Sequence, residues 1–447
     1  MEEKERFGKT VWRIALPVTL QSLFSSSFSV IDQIMIGQLG ENSIAGIGLG
    51  GKFVSLYSVV LAAIAAAAGI MISQYMGKKD ERLVGRSFWI NMAASVALGL
   101  LFLALYMVLP EKIMAAYTKD EPVRVLAAGY IRILALSFVP VAVSSVVTTM
   151  LRCMEAASLP LYASMSALLL NTVLNYLLIF GKWIFPEMGV EGAALASAAS
   201  QMISCLVMIL FFIRCKRRKG IRLHIKRLRG EKFDLKQYLG ILGPLLICEF
   251  LWSLGENVYT AIYGNIGTDA CAAMTMTVPV QTVVIGALGG LSQAAGIVIG
   301  KSLGAKEYER AYEESKKLMK YGLVISVSLS LGLLILNPFY VKAYQVEPAV
   351  RDMTRQLLLA IAVIAPVKVM NMILGGGIIR SGGRTKYVMW IDIIGTWVFG
   401  VPLGFLAAFA WHLPIAHVYF VLSLEECVRF GISWVVFRRR SWMGSLQ

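Results

Sequence analysis

Long apolar runs separated by short polar loops follow one another along the whole chain. Each run is about 20 residues or longer, the helical length that crosses a hydrocarbon core of about 30 Å. The runs do not alternate with a period of two, so they predict α-helices and not the strands of a barrel. They lie near residues 14–34, 44–75, 88–109, 125–150, 160–180, 190–213, 239–263, 271–300, 318–337, 356–379, 387–410 and 414–437. The pattern therefore predicts an all-α integral membrane protein with about twelve transmembrane helices.

Two segments of the chain, 227 positions apart, have closely similar sequences. Residues 67–80 read AAGIMISQYMGKKD and residues 294–307 read AAGIVIGKSLGAKE. The same offset places Pro17 on Pro244 without a gap. Six spans separate the copies, and an even number returns the chain to the same side of the membrane. We therefore expect two parallel six-helix bundles related by a pseudo-twofold axis, residues 1–213 and 239–447, joined by a linker at 214–238.

The composition supports a membrane protein, since 57% of the residues are hydrophobic and only 16% are charged. The net charge of +16 is unevenly distributed, because 32 of the 43 Lys and Arg fall on one side of the predicted topology. By the positive-inside rule that side is the cytoplasm, and it holds both termini. The basic run 214–236 is then predicted to rest on anionic lipid at the inner face, and nucleic acid is not needed to explain it.

One acid stands out in the first half, Asp32, because it is the only carboxylate within a span there apart from Glu191, which is the second residue of its span. A charge at bilayer depth costs about 2.5–3.5 kcal/mol on insertion scales, so such a group usually faces water or a partner. A desolvated carboxylate is a plausible proton carrier. Asn171 and Asn175 lie four residues apart on one helix face and could bridge to Asp32, or could serve only as packing contacts between helices.

The second half carries more polar groups inside its spans. The candidates for a cavity there are Glu249, Glu256, Asn257, Gln281, Lys368 and Asp392. Lys368 needs an anionic neighbour in the membrane, and Glu249, Glu256 or Asp392 could supply it. In the last span, Glu425, Glu426 and Arg429 fall on one helical turn and are expected to neutralise one another.

Several motifs together resemble the multidrug and toxic compound extrusion family, the MATE antiporters. The resemblance covers nearly the whole chain and is carried by Pro17, Asp32, Gly37, Leu39, Gly40 and Ala45 in the first two spans, the AAG-I-x-I-x-x-x-x-G endings at 67 and 294, Leu151-Arg152, Ile379-Arg380, Gly192-Ala193-Ala194, and Trp397 with Pro402-Leu403. Four positions depart from the family pattern: Asn175 stands where many prokaryotic members have aspartate, Trp252 where several have glutamate, Glu155 for glycine and Gly400 for arginine.

The resemblance implies a secondary active exporter of organic cations or drugs that works by alternating access. It implies that Asp32 is the ion-coupling acid, with Asn171 in the place of the family's fifth-helix asparagine. The coupling ion would be H⁺ or Na⁺, and no other cofactor or bound metal is expected. We expect small cationic or amphipathic substrates, a monomer, and a multi-pass position in a bacterial plasma membrane.

Other functions remain open at this stage. A lipid-linked sugar or lipid flippase of the same superfamily would favour several basic residues deep in the first half, where only Lys52 is found. A major-facilitator transporter also has two parallel halves, but the loop at 77–86 is one residue too long for its motif. A membrane enzyme is disfavoured, because His224, His412 and His417 show no metal-ligand spacing with Cys or acids. The native substrate and the choice between H⁺ and Na⁺ are not set by the sequence.

Overall fold

The computed structural model describes residues 2–115, 118–221, 234–342 and 346–446, and every regular element in these ranges is a helix. The α-helices are α1 (Glu2–Gly37), α2 (Glu41–Gly77), α3 (Glu81–Val108), α4 (Pro110–Ala115), α5 (Glu121–Leu134), α6 (Phe138–Cys153), α7 (Ser158–Ile179), α8 (Gly189–Arg218), α9 (Leu235–Ile266), α10 (Thr268–Gly304), α11 (Tyr308–Lys342), α12 (Pro348–Asn371), α13 (Lys386–Asp392), α14 (Val401–Phe405), α15 (Ile415–Ser423) and α16 (Glu425–Arg438). Helices form their backbone hydrogen bonds internally, which is required in a membrane because lipid tails offer no hydrogen-bonding groups.

Eleven continuous helical stretches in the described residues are long and apolar enough to cross a membrane. Some combine several elements: a short 3₁₀ turn joins α5 to α6, and α12 continues as a π-helix over Met372–Ile379. Two more π-helical segments, Ile393–Gly400 and Leu406–Ala410, lie within the stretch that starts with α13. These stretches coincide with the first eleven predicted spans.

The twelfth predicted span, 414–437, is two helices and not one. The helix is interrupted at Leu424, between α15 and α16, and neither helix alone is long enough to be counted as a span. Glu425 and Glu426 lie in the first turn of α16, where carboxylates interact favourably with the helix dipole. The prediction of an all-α membrane fold is confirmed, with the last crossing broken where its acidic residues begin.

The chain divides into two compact units. The N-unit comprises Leu20–Ile72 and Asp80–Lys232, and the C-unit comprises Met1–Thr19, Ser73–Lys79 and Phe233–Gln447. The first half of α1 and the last turn of α2 thus belong to the C-unit, and the rest of both helices belongs to the N-unit. Residues 222–233 of the basic linker lie outside the described residues, so the expected lipid contact there stays a prediction, as do the domain boundaries.

The repeat found in the sequence is also a repeat of backbone structure. Lys79 and Lys306, 227 positions apart, both have a positive φ, 58° and 62°. The amide of Lys79 donates to Met76 O at 3.1 Å, and the amide of Lys306 donates to Leu303 O at 2.9 Å. Both copies of the segment therefore end their helix with the same left-handed turn.

Within the C-unit the ends of these two repeated segments contact each other reciprocally. A β-carbon on Gly77 would collide with the backbone of Lys301, and one on Gly304 would collide with the backbone of Gln74. Position 74 of the first copy corresponds to 301 of the second, and 77 corresponds to 304. The contact is therefore symmetric, and only glycine allows the two helix ends to approach so closely.

The C-terminal residues complete the C-unit at this crossing. Gln74 Nε2 donates to Ser381 O at 2.7 Å, and Gln74 Oε1 accepts from the amide of Leu446 at 2.8 Å. The side chain of Trp442 is fully buried, with its ring stacked on Phe437. Burying an aromatic side chain of this size stabilises by about 1.5–3 kcal/mol or more, so the C-terminal residues are a firmly packed part of the fold.

Candidate ion-coupling and substrate sites

In the N-unit, Asp32 is held by an amide from a neighbouring helix. Asn175 Nδ2, on α7, donates to Asp32 Oδ1, on α1, at 2.9 Å. Asn171 lies one turn earlier on α7, and with its amide nitrogen turned toward the acid it donates to Asp32 Oδ2 at 3.0 Å. In that orientation its oxygen accepts from Ser197 of α8. The structure thus brings Asp32, Asn171 and Asn175 together.

Amides are suitable neighbours for a carboxyl group that changes its protonation state. Both asparagines are buried, while Asp32 is only partly enclosed by protein. The buried Asn175 Oδ1 has no hydrogen-bond partner among the described residues. Because an amide offers both donors and an acceptor, Asn175 can donate to the carboxylate and, after rotation, accept from the protonated acid.

A second polar contact of the N-unit was not predicted from the sequence. Arg152, at the end of α6, donates from Nη2 to Gln21 Oε1 at 3.0 Å, and Gln21 Nε2 donates to Ser164 Oγ at 2.7 Å. Arg152 was noticed only as part of a helix-end motif. Its partner lies 131 residues away and is uncharged, so neither spacing nor charge indicated it.

In the C-unit a cavity of about 720 Å³ lies among α9, α10, α12, α13, α15 and α16. Five of the six predicted residues line it: Glu249, Glu256, Gln281, Lys368 and Asp392. Asn257 does not. It follows Glu256 and so lies about 100° further round α9, where its side chain is exposed and its Nδ2 donates to Ser253 O of the same helix at 2.7 Å.

None of the predicted partners of Lys368 forms an ion pair with it in the described part of the chain. Glu249 Oε1 lies 2.9 Å from Arg380 Nη2, and Asp392 pairs with Arg429. Glu256 lines the cavity without an ion pair to Lys368. Among the described residues no carboxylate lies within 4.0 Å of the Lys368 amine. Spacing along the chain could not show this, because the arginines that take these carboxylates come from distant helices.

The expected mutual neutralisation of Glu425, Glu426 and Arg429 holds for only one of the two acids. Arg429 Nη1 lies 3.7 Å from Glu426 Oε2, and Asn371 Nδ2 donates to that same oxygen at 2.7 Å. Glu425 instead accepts from the hydroxyl of Tyr259, on α9. Tyr259 and Asn371 are cavity-lining residues that the sequence did not indicate, since neither carries a charge.

Two glycines of a π-helical segment make room for this network. A β-carbon on Gly395 would collide with the side chain of Arg429, and one on Gly400 would collide with both Glu425 and Tyr259. Gly400 is a position where the family pattern has arginine. The structure gives a physical reason for the change, because Glu425 and Tyr259 occupy the space that a larger side chain would need.

Comparison with known proteins identifies the family of the chain. A family model named MatE matches residues 17–177 and, a second time, residues 244–406. The two matches begin 227 positions apart, which is the offset of the repeat, and together they cover well over half of the chain. The chain belongs to the MatE family. The family resemblance inferred from the sequence is thereby confirmed, and with it a multi-pass membrane protein of a transporter family.

Similar proteins match the chain over nearly its full length. "Uncharacterized transporter YisQ" of Bacillus subtilis is 23% identical over 97% of this chain and 93% of its own length. "Probable multidrug resistance protein NorM" of Bacillus thuringiensis is 25% identical over 91% of this chain and 90% of its own length. These relatives align with both halves of the chain.

Solved structures show the same fold. "Crystal structure of MATE in complex with MaL6" has a TM-score of 0.88 at 17% identity and covers 97% of this chain and 96% of its own. A structure described as "Reverse polarity of binding pocket suggests different function of a MOP superfamily transporter from Pyrococcus furiosus" has a TM-score of 0.86, also at 17% identity, with 97% of this chain and 95% of its own covered. At this identity the likeness concerns the fold.

Proposed function

We propose that the chain is an antiporter that exports organic cations or drugs in exchange for inward H⁺, with Asp32 as the coupling acid. The observation that carries the proposal is the Asp32 carboxyl group, hydrogen-bonded by Asn175 at 2.9 Å. Among the described spans of the N-unit it is the one acid that lies beyond the first turn of its helix. Relatives named as multidrug resistance proteins support the substrate class. The expected location is a bacterial plasma membrane with both termini in the cytoplasm.

The coupling follows from linkage between two ligands. If the protonated form of Asp32 favours one conformation of the transporter and a bound organic cation favours the other, each ligand promotes release of the other. No direct contact between proton and substrate is needed. The amides of Asn171 and Asn175 hold the carboxyl group in place, so that adding or removing a proton changes its charge with little movement of the acid.

H⁺ fits the Asp32 site better than Na⁺. Hard metal cations take several oxygen ligands, commonly six or more for Ca²⁺ and Mg²⁺. Here one carboxylate supplies the charge, and each neighbouring amide offers a single oxygen. The position occupied by Asn175 would carry a second carboxylate in many relatives, and its loss weakens a cation site while leaving a proton site intact.

The C-unit cavity has properties that suit a cationic substrate. Five carboxylates and three basic side chains line it, so it carries an excess of negative charge when all are ionised. Trp252, Tyr259, Tyr263 and Tyr419 add aromatic surface, which attracts organic cations through the faces of the rings. An anionic, partly aromatic cavity is the complement of a flat organic cation.

The test is efflux of ethidium from vesicles that contain the purified protein, driven separately by a pH gradient and by a Na⁺ gradient. Wild type should move ethidium on the pH gradient, and Asp32→Asn should fall to the rate of protein-free vesicles. Asp352→Asn is the matched control, since Asp352 is exposed on α12, and it should behave as wild type. Movement driven only by Na⁺ would overturn the choice of H⁺. No ethidium movement on either gradient, with transfer of a lipid-linked sugar instead, would favour the flippase.

A further inference from the structure

The charges that line the C-unit cavity do not balance pair by pair. The acids are Glu249, Glu256, Asp392, Glu425 and Glu426, and the bases are Lys368, Arg380 and Arg429. Arg380 pairs with Glu249, and Arg429 serves both Asp392 and Glu426. Two acids are left without an ion pair in the described residues, Glu256 and Glu425. Glu256 is exposed to the cavity, so water can solvate its charge.

Glu425 is in a different position, because it is buried. Its side chain is 6% exposed, and no basic group lies within 4.0 Å of it in the described chain. Its hydrogen-bond partner is the Tyr259 hydroxyl, and the backbone of Gly400 packs directly against it. Any side chain at position 400 would displace the carboxyl group, so this glycine keeps Glu425 in its enclosed place.

The groups around Glu425 come from every neighbouring helix. On its own helix, α16, it adjoins Glu426 and is one turn from Arg429. Tyr259 and Tyr263 face it from α9 and Lys368 from α12, while Asp392 of α13 is paired with Arg429. The nearest carboxylate is thus a sequence neighbour, and the nearest guanidinium already serves two other acids.

Keeping the Glu425 carboxylate ionised in these surroundings is energetically unfavourable. Removing a charge from water without a paired cation is strongly unfavourable, and such a group commonly takes a proton instead. A second carboxylate beside it adds like-charge repulsion, which also favours one shared proton. Protonated, Glu425 can donate to the Tyr259 oxygen, so its hydrogen bond survives in either state.

We propose that Glu425 is a second proton-carrying carboxyl group, which gives up its proton when an organic cation enters the C-unit cavity and regains one after the cation leaves. The proposal rests on the antiport function above and deepens it. Two protons would then move inward, one on Asp32 and one on Glu425, for each monovalent cation that moves outward. The cycle carries one net positive charge inward, so the membrane potential drives it as well as the pH gradient.

The voltage dependence gives the first test. One charge across 100 mV is worth about 2.3 kcal/mol, which corresponds to a concentration ratio of about 50-fold. With equal pH on both sides and the cytoplasmic side 100 mV negative, wild type should expel ethidium until the outside exceeds the inside by up to about 50-fold. Glu425→Gln keeps the hydrogen bond to Tyr259 and still exchanges through Asp32, so it should move ethidium on a pH gradient but form no gradient on voltage alone.

The matched control is Glu314→Gln. Glu314 is also buried in the C-unit, but Arg310 Nε lies 2.9 Å from its Oε1, so its charge is paired. It should keep the voltage response of wild type. If the exchange by wild type does not depend on the membrane potential, the proposal of a second proton is overturned. If wild type shows no exchange on a pH gradient, the proposed antiport function is overturned instead.

A second measurement does not depend on transport. Infrared difference spectra of the detergent-solubilised protein, exchanged into D₂O, report the carbonyl stretch of protonated carboxyl groups. On the background of Asp32→Asn, such a band should be present at neutral pH and should be lost on adding Glu425→Gln but kept on adding Glu314→Gln. A spectrum unchanged by Glu425→Gln would show that Glu425 is ionised and would overturn the proposal even if no substrate were known.

Discussion

Two arginines at equivalent helix ends have different partners in the two units. Arg152, which ends α6 in the N-unit, donates to the neutral Gln21 at 3.0 Å, whereas Arg380, 228 positions later in the C-unit, donates to the carboxylate of Glu249 at 2.9 Å. Both partners come from the middle of the helix that opens each half, α1 for Gln21 and α9 for Glu249. The arginine is thus present in both halves of the repeat, but its hydrogen-bond partner is neutral in the N-unit and charged in the C-unit.

The same difference extends to the whole polar interior of each unit. The N-unit holds its intramembrane acid, Asp32, with amides, and the C-unit holds most of its acids with arginines. An amide leaves the charge of a carboxylate free to change, because it can hydrogen-bond both protonation states. An arginine keeps the carboxylate ionised. The comparison assigns proton exchange to carboxyl groups that lack an arginine and structural stability to those that have one.

The strongest test of this division is a pair of isosteric changes, Asp392→Asn and Asp32→Asn. Asp392→Asn removes one of the two carboxylates that serve the largely buried Arg429 and should destabilise the protein by about 1.5–3 kcal/mol, the contribution of a hydrogen bond to a charged group. Asp32→Asn leaves the hydrogen bond to Asn175 possible and should cost less than about 1 kcal/mol. Denaturant unfolding in detergent measures both. Equal losses would contradict the assignment of different roles.

A smaller effect is expected from exchanging the partners of the two arginines. Glu249→Gln gives Arg380 the neutral partner that Arg152 has, and should cost about 1 kcal/mol, the difference between a charged and a neutral hydrogen bond. Gln21→Glu makes the opposite change and should gain up to about 1 kcal/mol. Thermal unfolding of both variants in the same detergent checks the sign. A loss of stability in Gln21→Glu would show that the N-unit does not tolerate a second carboxylate there.

The smallest expected effect concerns the turn after each arginine. Glu155 has a φ of 58°, and Gly383, 228 positions later, has a φ of 73°. A left-handed conformation costs a residue with a side chain about 1 kcal/mol more than glycine. Glu155→Gly should therefore stabilise the protein by about 0.5–1 kcal/mol, and Gly383→Ala should destabilise it by at least as much, because Leu446 also lies 3.0 Å from the new β-carbon. Melting temperatures of the two variants should move in opposite directions.

The sequence predicted what depends on periodicity. The helical fold, the repeat at 227 and the shared face of Asn171 and Asn175 follow from spacing along one chain segment, and the structure contains each of them. The break at Leu424 lies in the middle of the run 414–437, directly before Glu425 and Glu426, and the overall hydropathy of that run predicted one continuous span. The partners of Arg429, Lys368 and Glu425 were not predictable, because they depend on which side chains meet from helices tens to hundreds of residues apart.

Gly400 is a departure from the expected family pattern that the structure explains. In the sequence, the glycine at position 400 was only a departure from an expected arginine, and its effect could not be explained. In the structure, Glu425 and Tyr259 pack against the backbone of Gly400. An uncharged residue that leaves space gives no signal in a search for charged groups, and only the side chains that fill the space reveal its role.

The central claim, that Asp32 exchanges a proton for the substrate, is tested most directly by proton release on binding. Purified protein in a weakly buffered detergent solution near neutral pH is mixed with ethidium, and the pH change is followed with an indicator dye. The account predicts that wild type releases protons as ethidium binds and that Asp32→Asn releases about one proton fewer per bound ethidium, because the coupling runs through that carboxyl group. Equal release by the two proteins would contradict it.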